Sequence, residues 1–204
     1  MKSWSYSKLK NYERCPHTLS FPYAYSPPCE AAQRGIDTHA KCEAYINSGG
    51  EGPVEGFPWE RLNGAHAEVK MGLDKDWRIC PYDDAWLKFI PDAFFSDGDC
   101  LTIVDFKTGK REYNEVGHST QMQLYMAAMA AISPRVPLFK AELWYLDQGF
   151  VHPTAVYTQQ KLVGIRERLG KRVTIMFEDE VLAPKPNKSN CRFCNQPCEF
   201  KYEP

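Results

Sequence analysis

The spacing of hydrophobic positions changes several times along this chain, and the changes delimit its elements. Ser3-Trp-Ser-Tyr-Ser-Lys-Leu-Lys-Asn-Tyr12 predicts a short helix with Ser5 or Ser7 as N-cap, running into Cys15-Pro16. Residues 22–30 hold three prolines and read as a loop. Ala31 to Asn47 is helical, and Ser48-Gly49-Gly50 stops it. A loop rich in glycine and proline follows, and Trp59 to Leu73 predicts a second helix. Strands dominate from Trp77 to Lys107. The clearest is Leu101-Thr-Ile-Val-Asp-Phe-Lys107, apolar and β-branched, between Asp97-Gly98-Asp99 and Gly109. The run from Trp86 to Phe95 is its expected hairpin partner. Gly117 to Ala131 predicts a helix that ends before Pro134. Phe139–Leu146 and Phe150–Tyr157 make a hairpin across Asp147-Gln-Gly149. Thr158 to Glu178 is an amphipathic helix, and the tail after Pro184-Lys-Pro186 carries cysteines. The sum is an α/β chain: a central mixed sheet with helices on its faces.

Its 204 residues are enough for one domain with a real core, and 43 % hydrophobic content is ordinary for a globular protein. No apolar run reaches the roughly 20 residues of a membrane span. The first residues lack a signal-peptide core, so a cytoplasmic location and no membrane partner are expected. The formal net charge of −1 excludes a protein that coats nucleic acid by bulk positive charge. Any nucleic-acid contact must be local, with metal ions offsetting phosphates at the site.

The strand ending in Asp105-Phe106-Lys107 carries the chemistry. Alternate residues on a strand share a face, so Asp105 and Lys107 point the same way and Phe106 the other. Asp92, on the expected partner strand, adds a second carboxylate, and the pair makes a hard-oxygen pocket suited to Mg²⁺ or Mn²⁺. Lys107 beside it is placed to stabilise an attacking hydroxide or a phosphorane-like transition state. His39, on the first long helix, is a candidate further ligand, with Glu43 one turn away as a weaker one. Gln121 and Tyr125 lie one turn apart on the next helix, where an amide and a phenol can hold a phosphate or a base. Gln123 is expected to face solvent. Thr108, Lys110 and Arg111 are candidate backbone contacts, and Trp4, Tyr6 and Tyr12 candidate stacking rings.

Eight cysteines are many for a chain expected in the cytoplasm. Cys191, Cys194 and Cys198 fall within eight residues, and Cys15 is the best fourth ligand. Four thiolates suit tetrahedral Zn²⁺ or an iron–sulfur cluster. Such a site would tie residues 1–30 to 184–204 as one metal-cluster subregion of a single domain. Cys29, Cys42, Cys80 and Cys100 read as buried free thiols.

Together these motifs resemble the PD-(D/E)xK nuclease superfamily, in its RecB-like and Cas4-like exonuclease branch. The resemblance rests on Ser5 to Pro16, Arg34-Gly35 to His39, Pro91-Asp92, Asp105 to Gly109, Gln121-x-x-x-Tyr125 and the closing cysteines. It implies a restriction-endonuclease-like core and a metal held by His39, Asp92, Asp105 and the backbone carbonyl of Phe106, with Lys107 catalytic. It also implies a [4Fe–4S] cluster on Cys15, Cys191, Cys194 and Cys198. The gap between Cys194 and Cys198 is shorter than usual for the family, which keeps structural Zn²⁺ as the alternative. No helicase or ATP-binding motif is present, so a free-standing nuclease of the phage or CRISPR kind is implied, in a bacterium, archaeon or phage-infected host. The expected activity is a metal-dependent DNA exonuclease that prefers single-stranded ends and runs 5′ to 3′. The alternatives are a structure-specific endonuclease, or a subunit with protein partners in recombination, replication or CRISPR adaptation.

Overall fold

In a computed structural model of the chain, residues 2–22, 29–109, 111–112, 114–192 and 194–202 are described. Most of the proline-rich loop at 22–30, and Lys110, lie outside them.

The chain opens with helix α1 (Tyr6–Arg14), capped by the Ser5 hydroxyl, which accepts from the Lys8 N–H. Helix α2 (Glu30–Ser48) ends at Gly49, whose φ of 73° only glycine adopts at no steric cost. The expected helix over Trp59–Leu73 does not form. A single 3₁₀ turn, Trp59–Leu62, is followed by strands β1 (His66–Ala67) and β2 (Met71–Leu73). Gly64, at φ 78°, breaks the helical path, and Val69, Met71 and Leu73 alternate with a strand's period instead.

Strands β3 (Ile79–Cys80) and β4 (Leu87–Phe89) flank β2 in a three-stranded antiparallel sheet. Gly72 allows β2 to lie close, since a Cβ there would sit 2.7 Å from that of Ala85. Strand β5 (Ala93–Asp97) belongs to the main sheet, so the run from Trp86 to Phe95 is divided between two sheets. The division falls at Pro91, which has no N–H for a ladder. The segment around Asp92 is therefore a crossing between sheets and only its second half is a hairpin arm.

Strand β6 (Cys100–Lys107) pairs antiparallel with β5 across the Gly98 turn. Helix α3 (Glu115–Ile132) then crosses over to β7 (Leu138–Tyr145), which runs parallel to β6 over its full length. Strands β8 (Phe150–Pro153) and β9 (Tyr157–Thr158) pair antiparallel with β7. The six-stranded sheet has the order β1-β5-β6-β7-β8, with β9 also on β7, and is mixed. Helix α4 (Gln159–Glu178) is capped by Thr158, and the short α5 (Lys188–Cys191) lies in the tail.

Alternation along β6 divides the core. Leu101 and Ile103 face α3, α4 and the small sheet, whereas Val104 and Phe106 face α2, Trp59 and Trp144. Helix α3 is buried continuously from Leu124 to Ala130, because it is covered by the sheet on one side and α4 on the other. No helix among the described residues is long and apolar enough to cross a membrane.

Candidate active site

The C-terminal end of β6 places Asp105 and Lys107 on the α3 side of the sheet, where their side chains meet. Lys107 Nζ lies 2.6 Å from Asp105 Oδ2. Lys107 is thus the charged partner of a carboxylate that is almost wholly buried. Burial raises the Asp105 carboxyl well above its usual range, the Asp92 charge adds to this, and Lys107 opposes it.

Asp92 sits at the entry to β5. Its Oδ2 accepts the Phe106 backbone N–H at 2.6 Å, and its Oδ1 lies 3.5 Å from His39 Nδ1. His39 comes from α2, on the opposite side of the sheet, and its ring meets that of Phe106 edge-on. Glu68 completes the group, with Oε1 3.8 Å from His39 Nδ1. Potential ligand atoms of His39, Glu68 and Asp92 all lie within 4.8 Å of one another. Burial pulls the His39 imidazole down, but hydrogen bonds to Asp92 and Glu68 and the charges of Asp92 and Asp105 outweigh it and hold its pKa at about 10.

Glu68 was not among the expected residues. It reaches the site because its backbone takes φ 50°, in the left-handed region, while its N–H still pairs with the Asp92 carbonyl at 3.1 Å. A non-glycine residue held there stores strain, and such strain concentrates at functional sites. The signal in the sequence was weak: one acidic residue between two short strands in a stretch with helical character. Glu43, the acidic residue expected beside His39, is half-buried on α2 and is not in the group. Asp105 is not in it either, because its side chain is turned to Lys107. Phe106 meets the site through its N–H, and its side chain is packed against Trp59 and Trp144.

The donor set fits a divalent cation. Glu68, Asp92 and Asp105 bring three carboxylates against one lysine and one imidazole, and potential ligand atoms of His39, Glu68 and Asp92 converge on one another.

Behind Lys107, Gln121 Oε1 accepts from Nζ at 3.2 Å, and Gln121 Nε2 donates to the Tyr125 hydroxyl at 3.1 Å. The amide is thereby fixed between two partners. Tyr125 is buried, with its ring near Phe89, so it has no face for a base, and its hydroxyl alone serves the site. Trp4 and Tyr12 are likewise core residues, and Tyr6 is tied to the Gly117 carbonyl, so none of the three is a free stacking ring. Gln123 lies at the surface, as expected, and there accepts from Arg168 of α4. Thr108 lies against Gly35, and the Arg111 N–H is bound by Gln148. One turn before Gln121, His118 Nδ1 lies 2.9 Å from the Tyr145 hydroxyl. Burial and the charges of Lys107 and Lys10 lower its pKa to about 4, so this imidazole is neutral.

At the other end of the chain, Cys15, Cys191, Cys194 and Cys198 line one small cavity, together with His17, Phe21 and Phe200. The Lys185 N–H points to Cys15 Sγ at 3.3 Å and the Tyr202 N–H to Cys191 Sγ at 3.4 Å. Asn190 ties the tail to α1 by donating to the Arg14 carbonyl. Of the other thiols only Cys42 is buried. Cys29 is exposed at the start of α2, Cys80 is half-buried on the short β3, and Cys100 is half-buried at the first residue of β6.

A family model described as the PD-(D/E)XK nuclease superfamily matches residues 86–200. The match contains Asp92, Asp105, Lys107, Gln121, Tyr125 and the three tail cysteines. No curated protein matches the chain. Among solved structures, that of SSO0001 is similar with a TM-score of 0.54 at 14 % identity, over 96 % of this chain and 83 % of that one. At this identity the likeness concerns the fold.

Proposed function

Because the chain belongs to the PD-(D/E)XK nuclease superfamily, whose members are metal-dependent nucleases acting on DNA, we propose that it is a DNA exonuclease of the RecB-like and Cas4-like branch. The observation that carries this reading is the meeting of His39, Glu68, Asp92, Asp105 and Lys107 at the end of β6. His39, Glu68 and Asp92 would hold Mg²⁺ or Mn²⁺, with Asp105 beside them. When bound, the cation polarises the scissile phosphate and lowers the pKa of a water. Lys107 positions the attacking water and stabilises the charge that develops on the phosphate. Gln121 holds Lys107 at this post from behind, and the Tyr125 hydroxyl fixes the amide's orientation. Asp105 lowers the cost of keeping Lys107 charged in a half-buried position.

The near-zero net charge favours unpaired ends over a wrapped duplex, and 5′ to 3′ is the proposed direction. End-labelled linear DNA and closed circles, each with Mn²⁺ and with EDTA, test the reading. Early release of very short products from a 5′-labelled single strand supports it. Cutting of circles at the linear rate would make the protein an endonuclease.

Residues 1–204 form one nuclease domain in this reading, with 1–30 and 184–204 as a cluster subregion. Cys15, Cys191, Cys194 and Cys198 would carry a [4Fe–4S] cluster whose role is structural, because it joins chain ends and lies apart from the carboxylates in sequence. Four thiolates also suit Zn²⁺. The colour and iron content of freshly purified protein separate the two.

A further inference from the structure

Trp77 lies outside the active site, in a turn that Asp74 holds by accepting the Asp76, Trp77 and Arg78 N–H groups. It closes the β2–β3 turn at φ 62°, a left-handed backbone that a bulky residue adopts only under strain. Its ring is half-buried, edge-on to Trp86. Together with α4, this turn encloses an open groove of about 670 Å³. Arg166 of α4 reaches into the groove with its guanidinium 6.0 Å from the Trp77 ring centroid.

Among the described residues Arg166 forms no ion pair, and its Nε is buried without a hydrogen-bond partner. Burial lowers its pKa, with no carboxylate to offset the effect. Phe177, which also lines the groove, carries two more cations over its ring, Lys2 at 6.0 Å and Lys8 at 5.9 Å. Neither has a carboxylate partner among the described residues, and Lys8 is lowered by burial and by the charge of Lys2. Lys75, Glu167 and Glu178 line the groove as well. The charged residues of the lining balance, Lys75 and Arg166 against Glu167 and Glu178, so what distinguishes the groove is the Arg166 guanidinium, without an ion pair among the described residues, over the Trp77 ring.

We propose that this groove is a second contact for single-stranded DNA, seating a phosphate on Arg166 and a base against Trp77. The proposal rests on the nuclease reading for the identity of the polymer. The groove supplies the two elements that a sequence-tolerant single-strand contact uses, a desolvated cation for the backbone and an aromatic face for a base. A carboxylate peptide would use the cations and leave the ring idle. The groove is built by α4 and the small sheet, whereas the carboxylates sit at the end of β6, so it would hold a part of the strand away from the scissile bond.

The test uses the full chain in EDTA and the fluorescence anisotropy of a labelled oligothymidylate of about 20 nucleotides. Gly170→Glu is the variant safest for the fold: a Cβ at Gly170 meets nothing within 4 Å, and glutamate favours the helix over glycine. Gly170→Glu and Arg166→Met should each weaken binding at least about tenfold, the loss expected of a stacked and charge-paired nucleotide. Arg166→Met should also flatten the log–log salt slope by about 0.7. Gly170→Glu should keep the wild-type unfolding temperature. Unchanged affinity in both variants overturns the proposal, as does polyglutamate competing as well as the oligonucleotide. If the variants lose binding while the wild type cleaves no DNA with Mn²⁺, the groove stands and the nuclease reading falls. If the wild type cleaves DNA and both variants bind like it, the groove falls and the nuclease reading stands.

Discussion

The backbone N–H of Phe106 donates to Asp92 Oδ2 over 2.6 Å inside the core, which fixes one carboxylate oxygen and leaves the other facing His39. Asp92 therefore has one oxygen held by the backbone and one turned towards His39. Asp92→Asn keeps an acceptor for the Phe106 N–H and should fold to within about 1 kcal/mol of wild type while losing metal-dependent cleavage. Asp92→Ala leaves that N–H buried and unpaired, and should cost about 1–3 kcal/mol in addition to the activity. Urea unfolding of both variants in EDTA checks the difference, and equal stabilities would show that the bond contributes nothing.

Glu68 offers a separation of the opposite kind. Its φ of 50° suits glycine, and its carboxylate stands near Asp92 and His39. Glu68→Gly relieves the backbone but removes one His39 ion pair, so the metal-free protein should stay within about 1 kcal/mol of wild type. Mn²⁺ affinity should nevertheless fall at least about tenfold, as for loss of a group that holds or orients a metal. Calorimetric titration with Mn²⁺ decides this, and an unchanged affinity would remove Glu68 from the site.

The amide of Gln121 touches Lys107 on one side and Tyr125 on the other. Gln121→Leu keeps the volume of the side chain but releases Lys107. We expect kcat to drop about 10- to 100-fold, since the lysine's full contribution as a charge stabiliser is on the order of 10²–10³. Mn²⁺ affinity should not change. Tyr125→Phe should cost less, because Gln121 then loses only one of its two anchors. An equal loss of metal affinity in Gln121→Leu would show that the residue supports the ligands and not the lysine.

Some of this site was legible before the fold, and the reasons are physical. Asp105 and Lys107 were readable because strand alternation, an apolar run and the glycines at 98 and 109 all agree locally. Gly98 and Gly109 do take positive φ. Glu68 was not readable, because its place depends on a left-handed residue and on a pairing with Asp92 distant in sequence. Tyr125 shows a different limit. A spacing of four puts it on the same side of α3 as Gln121, but spacing does not say whether that side is open, and this helix is buried nearly all round. The aromatic residues near the N-terminus fail for the same reason. Trp4 is bridged to Leu87 and closed over by Trp86, a contact made only by the small sheet.

The charge on His39 should make metal binding depend on pH. Its pKa rises from 6.5 in an unstructured chain to about 10 in the metal-free fold, because two carboxylates face it. A raised pKa means the His39 ion pairs stabilise the metal-free fold fully below pH 6.5, and that this stability is lost as pH rises towards 10. A cation needs the neutral imidazole, so at pH 8 binding must displace a proton. Apparent Mn²⁺ affinity should therefore climb about tenfold per pH unit from 7 to 9. Calorimetry at pH 8 in buffers of different ionisation enthalpy should count about one proton released per metal bound. In His39→Gln that proton should vanish, and the metal-free protein should lose the share of its pH-dependent stability between 7 and 9 that His39 contributes. Proton release that persists undiminished in the variant would mean that another group, and not His39, gives way to the metal.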